Sequence, residues 1–154
     1  MVAMTEQIKD VLMGRIAFIA SVLWILAVAV SYAWPTSWWM EVNSVRVADS
    51  KVGQPIVMAV DRVIHKSFVA QWGVNVRVVS VDGSYVACAA SALSSYVAGA
   101  EIPHAVDLGW WTNNQCATLP VGSYVVHTTW VIPGIGPLPD KTITVVSNIF
   151  KVQG

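Results

Sequence analysis

Charge is scarce in this chain. Nine Lys and Arg stand against nine Asp and Glu over 154 residues, a charged share of 12%, about half that of an ordinary soluble domain. The basic residues nowhere cluster, so the electrostatic footprint that nucleic-acid binding requires is absent. Cysteine is limited to Cys88 and Cys116. Neither they nor His65, His104 and His127 form a C-x-x-C or H-x-x-x-H pair, and no metal site is expected. No G-x-S-x-G elbow exists to activate a serine. Ser91, Ser94 and Ser95 fall in the small-residue run CAASALSSY, which reads as a tightly packed or flexible segment. The carboxylates that could be paired for sugar hydrolysis, Asp61, Asp82, Glu101 and Asp107, show no spacing that favours any two. These gaps argue against an enzyme, and no cofactor is implied.

What the chain does contain is one long uncharged stretch. From Ile16 to Trp34 there is no charged residue, and the next charge after Arg15 is Glu41. A bilayer core is crossed by about 20 mostly apolar helical residues, and a helix apolar on all sides must be buried in protein or lipid. The remainder of the chain has strand-like patterning and offers no helices to bury it, so residues 16–34 are expected to span a membrane. A leader, residues 1–15, precedes the span, and Ile8, Val11 and Leu12 fall near helical spacing with Ile16, so the helix is expected to begin before the membrane. Lys9 and Arg15 flank the span on this side, whereas no Lys or Arg follows until Arg46. Basic residues near a span stay cytoplasmic, which places the N-terminus inside and the bulk of the chain periplasmic or extracellular. A cleaved signal peptide is the competing reading, since Ala29-Val30-Ser31 and Ser31-Tyr32-Ala33 carry small residues where a peptidase would cut. The apolar core is longer than signal peptides use, which favours a retained signal anchor. Residues 35–41 read as an interfacial linker. Trp34, Trp38 and Trp39 around Pro35 suit the headgroup region, with packing of Trp38 and Trp39 on the folded domain as the alternative.

Beyond Val42 the pattern has period two. Ile56, Met58, Val60, Arg62 and Ile64 share a face, as do Phe68, Ala70, Trp72, Val74, Val76 and Val78, and later Tyr124, Val126, Thr128, Trp130 and Ile132. Asp82-Gly83 signals a turn, followed by short strands at Tyr85–Ala90 and near Leu93–Val97. Residues 99–122 read as loop. Pro133, Gly134, Gly136, Pro137 and Pro139 mark a long turn before a last strand, Lys141–Val152. Six to eight short strands separated by Gly/Pro turns predict an all-β, two-sheet antiparallel sandwich over residues 42–154.

Two segments carry a resemblance. LPVGSY, Leu119 to Tyr124, resembles the turn leading into a late strand of immunoglobulin-like (Ig-like) sandwiches, where a tyrosine bonds back to the backbone at the sheet corner. SNIFKV, Ser147 to Val152, is similar to the last strand of bacterial and phage Ig-like modules. The chain thus resembles small membrane-anchored Ig-like proteins of bacteria and their phages. That resemblance implies a fold, and a virion or envelope setting, but no activity.

A cysteine pair on an exported domain oxidises, so Cys88 and Cys116 are expected to form a disulfide that pins the 99–122 loop to the Cys88 strand. Two buried free thiols are the alternative. Cys116 precedes the Tyr124 strand, so this is not the inter-sheet bridge of antibodies. Within the loop, Trp110, Trp111, Asn113 and Asn114 form the candidate ligand-binding group, because aromatic faces stack on sugars or peptides and Asn amides both donate and accept. A plug for one end of the sandwich is the other use for Trp110 or Trp111, and one ring could turn in and the other out. Arg62, in phase with apolar neighbours, becomes a near-buried charge in need of a carboxylate or carbonyls if that face is inward. The leading expectation is a membrane-anchored, non-enzymatic structural or protein-interaction module of a bacterial envelope, phage or prophage, with the lipid bilayer and a protein as partners. The alternatives are a carbohydrate-binding adhesion module using Trp110 and Trp111, and a hydrolase with an unrecognised site.

Overall fold

The computed structural model describes residues 2–33, 35–80, 83–100, 105–134 and 139–154, with side chains from Val11 to Val30 and from Pro35 onward within those segments. Trp34, Asp82, His104 and the Gly136-Pro137 pair lie outside the described residues. The apolar N-terminal run forms helix α1, Val2–Ala33. Its stretch Val11–Val30 is, among the described residues, the one helix long and apolar enough to cross a membrane, and none of that stretch is buried. At about 1.5 Å per residue, its 20 residues extend about 30 Å, the thickness of a bilayer core.

The second unit comprises Thr36–Gly134 and Asp140–Gly154. After a 3₁₀ turn at Thr36–Trp38, it contains strands β1 (Met40–Val47), β2 (Ser50–Lys51), β3 (Val57–Ile64), β4 (Phe68–Ser80), β5 (Gly83–Tyr96) and β6 (Ala105–Asp107). A single helical turn, α2 (Leu108–Trp111), precedes β7 (Gly122–Ile132), β8 (Lys141–Val146) and β9 (Phe150–Gln153). One sheet has the order β1-β3-β6. The other has the order β2-β9-β7-β4-β5, with β8 also on β7. Every pairing is antiparallel except that of β2 with β9. The protein is therefore mostly β, in two sheets, behind one apolar helix.

Period-two alternation places one side of each strand in a shared core. Met58, Val60 and Ile64 of β3 meet Ala70, Trp72, Val74 and Val76 of β4 and Tyr124, Val126, Trp130 and Ile132 of β7, together with Phe150 and Val152. The register of β1 shifts between Val42 and Ser44, so its inward phase changes from Met40 and Val42 to Val45 and Val47. A pure alternation rule cannot follow a strand across such a bulge.

Several boundaries differ from those expected. Strand β1 begins at Met40, two residues before the expected domain start. The two strands expected at Tyr85–Ala90 and Leu93–Val97 are one 14-residue strand, β5, because its small residues pair without interruption along β4 apart from a bulge at Val76/Arg77. The single last strand expected at Lys141–Val152 is two strands, and both lie along β7. They part at Ser147–Ile149, where side chains take over the ladder: Val126 N–H donates to Ser147 Oγ at 2.9 Å. Asn148 meanwhile reaches the opposite sheet, accepting from Val47 N–H and donating to Val47 O, each at 2.9 Å. The 99–122 segment is less loop-like than expected, since it contains β6 and α2.

Candidate binding cleft

The two sheets are unequal, and the inequality makes a site. Among the described residues, β6 pairs with β3 only over Val57–Ala59. The inward-facing residues of β5 and the neighbouring part of β4 therefore lack a full opposing layer. Ala92 pairs with buried Trp72 and shares its inward side, yet it is exposed. The result is a cleft of about 390 Å³, with Val60, Arg62 and Ile64 on one wall, Trp72, Ser94 and Tyr96 on the other, and Trp110 and Trp111 at the end.

The tryptophan end is built by a tightly bonded loop. Asp107 caps α2, its Oδ1 accepting from Gly109 N–H at 2.7 Å. A Cβ on Gly109 would lie 3.0 Å from Ala117 Cα, so any larger residue would push the two passes of the loop apart by a few tenths of an ångström. Buried Thr112 is the hub: its hydroxyl donates to Leu108 O at 2.7 Å and accepts from Cys116 N–H at 3.0 Å. Asn113 and Asn114 adopt left-handed backbone, φ 50° and 65°, which asparagine tolerates better than most residues. Asn114 N–H closes the turn on Gly109 O at 2.7 Å. The Cys88–Cys116 disulfide then fastens the loop to β5. The pairing and its effect on this loop are as expected from the sequence.

The two loop tryptophans point in different directions. Trp111 turns inward, its ring 5.0 Å from that of Trp72. Trp110 is 75% exposed and forms the rim. This divergence, one ring in and one out, is as the sequence allowed, but it does not come from an extended chain. They occupy a helical turn, where neighbours are rotated by about 100°. Asn113 and Asn114 are placed by their turn and are not among the residues lining the cleft.

On the opposite wall, the Arg62 guanidinium carbon sits 5.5 Å from the centroid of the Tyr96 ring. Among the described residues no carboxylate pairs with it, and its buried Nε has no hydrogen-bond partner. Burial lowers the pKa of Arg62, and the Tyr96 hydroxyl partly opposes that shift. Tyr96 is itself fixed, stacked on Phe68 at 5.0 Å and accepting a hydrogen bond from Trp130 Nε1 at 3.1 Å. Burial pushes its hydroxyl up, against the opposing pull of Arg62 and of the Trp130 bond. Trp72 Nε1 donates to Ser94 Oγ at 2.9 Å, which frees the serine hydrogen for another acceptor. Tyr96, Ser94 and Trp72 were legible in sequence only as strand residues; the in-phase charge of Arg62, on the facing wall, was the one signal of the cleft's sides.

Elsewhere, Trp39 packs against the core, and its carbonyl accepts from His65 N–H at 2.9 Å. Trp38 is 37% exposed, with Lys66 Nζ 3.4 Å from its ring centroid. His127 lies on the opposite side of β7 from Tyr124, and His65 Nε2 is 3.8 Å from Glu41. Among the described residues, no three His, Cys, Asp or Glu side chains come together. Compared with protein-family models, with curated proteins and with solved structures, the chain matches none of them.

Proposed function

We propose that the protein is a membrane-anchored, immunoglobulin-like recognition module, held outside the cytoplasm by its N-terminal helix, that docks a protein partner of a bacterial envelope or phage without catalysis. The observation that carries this reading is the rigidly mounted cleft, with Trp110 presented at its rim. A bridged, internally bonded loop loses little freedom when a partner settles on it, and tryptophan is a preferred anchor in such contacts.

The fold assignment is supported by the strand order. The three-stranded sheet corresponds to strands A, B and E of an Ig-like sandwich, and β4, β5, β7 and the β8–β9 pair to C, C′, F and G. The corner supports it too, because Tyr124 Oη donates to Pro120 O at 2.8 Å. The disulfide and the Lys9 and Arg15 flank favour an exported domain on a retained anchor. A photoreactive phenylalanine analogue placed at Trp110 in the full chain tests the docking role in native membranes. A discrete protein adduct of defined mass supports it. Retention on a glycan column that Trp110→Ala abolishes, without a protein adduct, replaces it with the second reading, a carbohydrate-binding module. That reading is favoured by the Ser94 hydroxyl lying in the same cleft as the aromatic rings.

A further inference from the structure

We propose that the cleft is an anion site for a carboxylate-bearing sugar, with Arg62 as the group that takes the carboxylate. The inference rests on the second reading, of the cleft as a carbohydrate site, and adds the chemistry of its occupant; a protein docked on Trp110 at the rim is tested separately by the photo-adduct. It follows from what surrounds Arg62. The residue lies on β3 between buried Val60 and Ile64, and among the described residues nothing polar on its own wall offsets its charge. A desolvated guanidinium is costly unless paired, and the face of one tyrosine ring is partial compensation. Its planar fork fits a carboxylate in two-point geometry. A position that breaks an apolar alternation with a cation that no described residue pairs, inside an open cleft, is arranged for a ligand that brings the opposite charge.

The rest of the cleft favours a sugar as carrier of that charge. Its volume of about 390 Å³ falls within the roughly 300–1,000 Å³ of small-molecule sites and accommodates a sugar ring with its substituents. The exposed face of Trp110 at the rim suits the apolar face of a pyranose. The Ser94 hydroxyl, already oriented by Trp72 Nε1, has its own hydrogen to give to a ring substituent. Glu101 follows the cleft-lining Ala100 in sequence and lies outside the described residues, so the chain's own carboxylate is the rival occupant that the experiment must separate.

The test uses the full chain in detergent micelles, probed with a glycan array containing hexuronate, nonulosonate and muramate sugars and their carboxyl-reduced counterparts. Affinities for hits are measured through tryptophan fluorescence. The expected result is an acidic sugar bound at least ~10-fold tighter than its reduced form, the lower end of what hydrogen bonds to a charged group supply. In Arg62→Gln that preference disappears with no loss of melting temperature, and in Glu101→Gln it persists. Trp110→Ala weakens both acidic and neutral forms. Equal binding of acidic and reduced sugars that Trp110→Ala abolishes and Arg62→Gln leaves intact overturns the anion site while the cleft reading survives. Matched destabilisation by Arg62→Gln and Glu101→Gln overturns it in favour of an internal ion pair. An Arg62-dependent response to an aspartate-rich peptide alone overturns the sugar. Silence across the array together with no photo-adduct at Trp110 removes both readings.

Discussion

The Cys88–Cys116 bridge supplies the most direct quantitative test of how the cleft is held. The cysteines are 28 residues apart. In the chain-entropy model, closing a loop of that length removes about 12 cal/mol/K from the unfolded ensemble, worth about 3.6 kcal/mol at 25 °C. For a β unit of this size, each kcal/mol moves the melting temperature by roughly 4 °C, so the bridge is worth roughly 14 °C. The perturbation is the double variant Cys88→Ala/Cys116→Ala, compared with reduction of the native chain. Cys116 is fully buried, so the variant also loses packing at that site, of order 1 kcal/mol. Reduction isolates the cross-link. Calorimetry of the full chain gives the stability, and near-ultraviolet circular dichroism follows the Trp72–Trp111 contact. A fall of roughly 14 °C with loss of the aromatic signal is expected. A fall under about 4 °C with the signal intact would refute the reasoning. The Thr112 hub and buried Leu108 would then hold the loop without the bridge.

Four further predictions follow from single side chains. Thr128 is fully buried on β7 and its hydroxyl has no partner among the described residues, so Thr128→Val should raise stability by about 1–2 kcal/mol in urea denaturation. Tyr124→Phe should cost about 1 kcal/mol by deleting the bond to Pro120, and an unchanged denaturation midpoint would show the corner bond to be dispensable. Asn148→Ala removes two bonds to Val47 and should cost about 1–3 kcal/mol, with faster amide exchange at Val47 as its local signature. The raised pKa of Tyr96 means that the unfolded chain ionises first. The stability contributed by the neutral phenol is full below about pH 10 and falls as the pH climbs toward the folded value. Thermal melts from pH 8 to 11 should show that decline, and Tyr96→Phe should flatten it.

The tryptophan loop shows why part of the site was legible and part was not. Its composition, two tryptophans, two asparagines and a cysteine within a few residues, announced a special segment. Asn113 and Asn114 were read as ligand groups because their amides are versatile. In the fold, their tolerance of left-handed backbone is what the chain uses. Thr112, the hub of that loop, carried no signal, since its role comes from where Leu108 O and Cys116 N–H fall in space.

Sequence by itself determined the properties that depend on neighbours along the chain. A charge-free run of membrane length needs no tertiary context to be insoluble in water. Alternation assigned the inward faces of β4 and β7 because a strand's side chains change sides at every residue. The Leu119–Tyr124 motif held the corner bond because donor and acceptor lie four residues apart. Tertiary structure decided the rest. Where β1 bulges, where β8 gives way to β9, and how far β6 runs along β3 depend on partners distant in sequence. Arg62 shows the division most clearly. Its place on an apolar face was written in the alternation. That this face opens onto a cleft, opposite Tyr96 and with Trp110 at its end, came from one sheet being narrower than the other, a property that no single strand encodes.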